Sequence, residues 1–223
     1  MNYVEHLWER YSGPFFSGAI VTIEITFAGI VLGSLAGGVL ALIRLYGPRP
    51  LRVLEIAYVE FWRGTPLLVQ LFIIYFGLPA LGIRIDRLVA AMLTLGLNSA
   101  AYQAEYFRGA MLSVDPGQLV AARAIGMSRL SGLINVVIPQ ALRLVVPSWS
   151  NEVIGTLKAS AVVFVIAVPD LMARAKIIFG RTFNPVEAYL VVALVYLALV
   201  AAFMLVLSYI ERRTRIPDAI PVR

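Results

Sequence analysis

Apolar positions in this chain do not alternate with polar ones but gather into long runs, separated by short clusters of charge, glycine and proline. A hydrocarbon core about 30 Å thick needs about 20 mostly apolar residues at about 1.5 Å of helix rise each. Five runs meet that length, at residues 15–43, 53–81, 88–111, 147–168 and 186–210. The pattern therefore predicts an all-α integral membrane protein with about five transmembrane helices. Gly29, Gly33, Gly37 and Gly38 give the first run the spacing of small residues that lets another helix approach closely. The second is interrupted at Gly64, Thr65 and Pro66, where a missing backbone hydrogen bond should break or bend it. The fourth lies in an apolar stretch, 133–172, too long for one span and holding Pro139, Pro147 and Pro169. The fifth follows Asn184 and Pro185 as a helix start and ends at Glu211, Arg212 and Arg213.

Lys and Arg near the span ends set the expected orientation. With the N-terminus outside, ten basic residues fall on the inner side and six on the outer. That places residues 1–14 outside the cell, a membrane domain over 15–212 and a cytoplasmic tail over 213–223. Glu5, Glu9 and Arg10 make the N-terminus unlike a cleavable leader. No fixed-period repeat and no linker divides the chain, so one domain is expected.

Composition narrows the chemistry. Hydrophobic residues make up 60% of the 223 and charged ones 14%, a balance that excludes an ordinary soluble domain. The net charge of +6 comes almost wholly from arginines at the ends of apolar runs, without interleaved aromatics, so no nucleic-acid partner is expected. With no cysteine there is no disulfide or thiolate nucleophile, and the lone His6 reads as an ordinary surface residue rather than a metal ligand. The sequence has no Gly-xxxx-Gly-Lys-Ser/Thr loop, no Gly-x-Ser-x-Gly elbow and no His-Glu-x-x-His pair. Catalysis by this chain is not expected, and it has no P-loop with which to bind ATP itself.

Polar residues inside the runs carry the functional signal, because an ionised side chain at the bilayer centre costs from about 3 to more than 10 kcal/mol unless a cavity or partner receives it. Lys158 falls near the middle of the fourth run and Asn98 near the middle of the third. Tyr102 and Glu105, four and seven residues on, share the face of Asn98. Glu105 and Lys158 supply the two signs that a zwitterionic ligand would need. The other reading is that they pair with each other or support helix packing. Gln70 is a further candidate to line the path, Arg63 is placed at its rim, and Glu24 is expected as a buried, hydrogen-bonded acid.

Between the third and fourth runs, Asp115-Pro116 starts a short helix, Ala121 and Ala122 keep it slim, Arg123 follows, and Gly126 permits a turn back toward the membrane before Pro139. This loop resembles the EAA loop of ABC importer permeases. Ala121, Ala122, Gly126 and Pro139 fall on that pattern, Val136 and Ile138 replace its Ile and Leu, and Val120 stands where the family has Glu. The segment Glu60-Phe61-Trp62-Arg63-Gly64-Thr65-Pro66-Leu67-Leu68-Val69-Gln70 is similar to one in polar amino-acid permeases. So are the run from Leu97 to Gly109, the pair Asn151-Glu152 and Leu157-Lys158-Ala159-Ser160. The likeness covers about residues 15–212. It implies the permease subunit of an ATP-driven, binding-protein-dependent importer of polar amino acids in a prokaryotic inner membrane. Its implied partners are a second permease subunit, an extracytoplasmic solute-binding protein and cytoplasmic ATPase subunits docked on the coupling helix around Ala121, Ala122, Arg123 and Gly126. No cofactor is expected on this chain, with ATP and Mg held by the ATPase. The competing class is an ion-coupled secondary transporter using Glu105 and Lys158 as a proton path; a membrane-embedded enzyme lacks any catalytic constellation.

Overall fold

The computed structural model describes residues 3–183 and 185–214, with side chains from residue 12 onward except at 181 and 182. The expectations for the side chains of Glu5, His6, Glu9 and Arg10, for Asn184 and for the tail from Arg215 lie outside what is described. Eight helices follow in order: α1 (Tyr3–Tyr46), α2 (Arg49–Gly64), α3 (Leu67–Ala80), α4 (Arg87–Leu112), α5 (Pro116–Ala124), α6 (Arg129–Ile166), α7 (Leu171–Thr182) and α8 (Pro185–Thr214). No strand occurs among the described residues.

Helices α1 and α4 form the centre and run parallel. A Cβ on Gly29 would lie 2.9 Å from Leu95 Cβ, one on Gly33 2.9 Å from Ser99 Oγ, and one on Gly37 2.9 Å from the Ala100 carbonyl oxygen. Three of the four glycines thus let the two backbones touch, whereas Gly38 faces open space. Opposite this seam, α1 turns Phe16, Ile20, Phe27, Val31, Leu35 and Val39 outward.

By length and composition, α1, α6 and α8 can each cross a membrane, and the pair α2 and α3 makes a fourth crossing if it is one bent span. Helix α4 is more polar because its surroundings are protein: Ala90, Ala91, Leu95, Ser99, Ala100, Ala101 and Gln103 are all buried. At 26 residues it is still long enough to span. Counting α4 and the bent pair, the chain passes five times between the two ends of the bundle.

Two of the expected spans take a different form. Residues 53–81 are not a single helix, since α2 and α3 meet at 110°. Pro66 has no N–H to continue the ladder and forces Thr65 into an extended conformation, φ −115° and ψ 148°. The fourth span does not begin at Pro147, because α6 is continuous over 38 residues. A wide π turn, Leu133–Val137, ends just before Pro139, and another, Ile73–Gly77, just before Pro79. Each takes up the distortion that the proline ring imposes on the preceding turn. The last turns of α6 tighten to a 3-10 helix, Ser160–Ile166, and Ala167 at φ 60° ends it ahead of Pro169.

Candidate functional site

The break between α2 and α3 is the first polar cluster. Gln70 is fully buried, and its Nε2 donates to the carbonyls of Trp62 (2.7 Å) and Thr65 (3.0 Å) and to Thr65 Oγ1 (2.9 Å). Asn98 on α4 donates from Nδ2 to Gln70 Oε1 (2.9 Å) and to the Trp62 carbonyl (3.1 Å). Tyr58 OH adds a bond to the Leu97 carbonyl at 2.7 Å. A break inside a membrane leaves carbonyls with no donor, and these side chains supply them. Asn98 and Gln70, read from the sequence as path-lining residues, are brought together as a clamp on the break.

Further along the half-buried face of α4 lie Tyr102 and Glu105, as their spacing predicts. The Arg63 guanidinium sits 5.3 Å over the Tyr102 ring. Glu105 Oε2 accepts from Arg108 Nη2 at 2.6 Å and Nε at 3.0 Å, so the acid's partner is the next turn of its own helix. Lys158 lies elsewhere. It is exposed near the far end of α6, on a face with Arg143, Pro147, Asn151 and Gly155, and forms no ion pair among the described residues. Ser99 and Glu152 mark one level of the antiparallel pair α4 and α6, joined at 2.8 Å. Glu105 is six residues toward one end and Lys158 six toward the other, which separates them by about 18 Å along the bundle. Within one chain they therefore neither pair nor frame a single zwitterion.

A polar chain that the sequence reading passed over runs through the core at that level. Trp149 Nε1 donates to Ser34 Oγ (3.1 Å), and Ser34 Oγ to Gln103 Oε1 (2.8 Å). Gln103 Nε2 donates to Ser99 Oγ (3.0 Å), and the hydroxyls of Ser99 (2.8 Å) and Thr156 (3.2 Å) both donate to Glu152 Oε1. The pairs Ser99/Gln103 and Glu152/Thr156, each four apart, were the available signal: a second polar stripe beside that of Asn98 and Tyr102. Glu24 is a correction in the opposite sense. It lies on the outward stripe of α1, exposed between Ile20 and Phe27, because the glycine seam takes the inward face.

At one end of the bundle the loop from Asp115 to Ser128 folds as its residues dictate. Asp115 Oδ1 accepts from Gly117 N (2.7 Å) and Pro116 opens α5. Gly126 adopts φ 91°, and Ser128 caps the start of α6. Ala122 is buried, facing Gly132 beside Leu119, whereas Ala121 and Arg123 face outward. Pro139 is exposed just beyond the wide turn. Val120, Ile125 and Leu130 are 67%, 80% and 66% exposed, three large apolar side chains left uncovered within eleven residues, the kind of surface that a partner covers.

At the opposite end Asp170 is buried between α6 and α7. One carboxylate oxygen accepts from Ala173 N (2.9 Å) while the other has no partner, and burial pushes its pKa up to about 6.

Comparison with known proteins places these features. Residues 14–216 match the family described as binding-protein-dependent transport system inner membrane component. The chain is 36% identical over 192 residues to the probable amino-acid ABC transporter permease protein YckA of Bacillus subtilis, covering 86% of this chain and 85% of that one. It is also 36% identical over 207 residues to the arginine transport system permease protein ArtQ of Bacillus subtilis, covering 92% and 94%. A crystal structure of an amino acid ABC transporter with histidines superposes with a TM-score of 0.87 at 38% identity, covering 96% of this chain and 99% of that one.

Proposed function

We propose, on the premise that this chain belongs to the family of binding-protein-dependent transport system inner membrane components, that its substrate is a polar amino acid and that its α5 end is cytoplasmic. The chain is the permease subunit of an ABC importer, embedded in the membrane by several apolar helices. An amino-acid substrate is supported by the relatives and the solved structure named above, all of them amino-acid systems. A polar one is supported by side chains the bundle leaves open: Lys158 and Asn151 on α6, and Tyr102 on α4 beside Arg63. In this reading Lys158 meets the substrate carboxylate, Tyr102 and the Glu105–Arg108 pair line the path nearer the α5 end, and Gln70 and Asn98 hold the broken helix between them.

The observation that carries the reading is the exposure of the apolar Val120, Ile125 and Leu130 around α5, which fits a separate ATPase subunit docked beneath the bundle. ATP binding there would draw the coupling helices of two permease subunits together and turn the path outward, where a binding protein delivers substrate. Hydrolysis would reset it, the two states being biased by the ligand each prefers. The basic residues at the α5 end, among them Arg44, Arg49, Arg52, Arg123 and Arg129, support a cytoplasmic position for it. Reconstitution of this permease with its ATPase in proteoliposomes tests the reading. ATP-dependent uptake of labelled arginine, histidine or glutamine is expected once binding protein is supplied; uptake that continues without the ATPase, or no uptake of any amino acid, overturns it.

A further inference from the structure

Above α5, the ends of α1, α2 and α4 bring four charges together as two ion pairs. Arg44 Nη1 on α1 donates to Glu55 Oε2 on α2 at 3.0 Å, and Arg108 on α4 holds Glu105 of the same helix. The pairs are neighbours, since Arg44 also acts electrostatically on Glu105 and Glu55 on Arg108. The glycine seam agrees. Gly33 rests on Ser99 and Gly37 on Gln103, and the same register sets Arg44 level with Ala110, two residues or about 3 Å past Arg108. Glu55 is the deepest of the four, its side chain 2% exposed. One of its oxygens, Oε1, is buried without any donor, although a carboxylate accepts on both. Arg108 meanwhile directs Nε and Nη2 to a single oxygen of Glu105, which leaves its Nη1 free among the described residues.

A buried acceptor left open costs stability, and this one is kept within the field of a cation that has a donor to spare. Passing Arg108 to Glu55 Oε1 and Arg44 to Glu105 gives a second arrangement with as many ion pairs as the first, so the exchange strands no charge. The four charges also stand on the line from α5 to the break between α2 and α3. Arg108 lies eight residues before Pro116, the start of α5, on the helix that leads into it. Helix α2 runs unbroken from Arg49 to Gly64, so the grip on Glu55 also places Trp62, whose carbonyl receives Gln70 and Asn98 at the break.

We propose that Glu55 is a positioning residue of the transport cycle, exchanging Arg44 for Arg108 as α5 is displaced, so that the broken helix follows α5; this rests on the ATP-driven reading above. The chain has no cysteine, so the pairs Arg44→Cys with Glu55→Cys and Glu55→Cys with Arg108→Cys each introduce a clean target for a short bis-thiosulfonate cross-linker in the assembled transporter. Peptide mass spectrometry should find the two links favoured in opposite states, each changing by about threefold between the nucleotide-free and the vanadate-trapped transporter. In uptake assays Glu55→Gln should keep basal ATP hydrolysis and the wild-type KM for amino acid, since Glu55 does not line the path, while maximal uptake falls about tenfold. Arg44→Gln, at a half-buried position, carries the same expectation should Glu55→Gln fail to assemble. Links in equal proportion in both states, or wild-type uptake per ATP hydrolysed in both variants, overturns the proposal. A loss confined to KM also overturns it, by placing Glu55 in the path. A wild-type transporter without ATP-dependent uptake overturns the importer reading, and the proposal with it.

Discussion

At Asp170 a single carboxyl shows how burial sets behaviour. Its pKa is pushed up to about 6, and one oxygen has no partner, so the folded chain holds the proton more tightly than the unfolded chain does. Its contribution to stability is therefore greatest below about pH 4 and falls as pH rises through about 6. Asp170→Asn keeps the oxygen that caps Ala173 and removes the titration. Thermal melts in detergent should show this variant gaining on wild type between pH 4 and pH 7, by on the order of 2 kcal/mol. A constant gap across that range would show that the acid is not carrying a proton. Lys158 poses a different question, since it is exposed and without an ion pair among the described residues. Lys158→Met should insert, assemble and keep basal ATP hydrolysis, but lose amino-acid uptake by tenfold or more, about 1.4 kcal/mol or above. Normal uptake would remove it as the carboxylate partner. Its charge and its membrane run were legible in the sequence. Its distance from Glu105 was not, because that depends on which residues of two antiparallel helices stand level.

Among the elements, the broken helix and α5 each depend on a few side chains. Gln70→Leu would leave the Thr65 carbonyl without its side-chain donor and Asn98 without Gln70 Oε1. An unsatisfied buried polar group costs about 1–3 kcal/mol, so the variant should melt lower and transport poorly. An unchanged melting temperature would mean that the break is held by its prolines and packing alone. Around α5 two adjacent alanines separate folding from docking. Ala121 faces outward and Ala122 packs toward Gly132. Ala121→Arg should leave the permease folded yet unable to retain its ATPase on purification, whereas Ala122→Arg should lower the yield of permease itself. Equal ATPase retention by Ala121→Arg and wild type would move the docking surface elsewhere. The small residues and Gly126 were legible as a slim helix with a turn. Which alanine faces the bundle was decided by Leu119 and Gly132 coming to rest beside Ala122.

For the molecule as a whole, the seam between α1 and α4 organises the bundle. Gly37→Val should prevent proper folding, because even its Cβ would meet the Ala100 carbonyl oxygen and Gln103 Cβ at 2.9 Å, whereas Gly38→Val points into open space and should be tolerated. Comparing membrane yield and monodispersity of the two variants checks this; equal behaviour would show that the seam is not the organising contact. The sequence by itself determined the helical class, the five passes and the short helix and turn at 116–126. Apolar length, proline and glycine act through the backbone and the bilayer, and neither depends on distant neighbours. Only the tertiary structure decided which polar residues face one another: Asn98 toward Gln70, Ser99 toward Glu152, Glu105 toward Arg108 and Glu24 outward. Helical periodicity tells which residues share a face, but the direction of that face is fixed by where the other helices pack, and here the glycine seam made that choice.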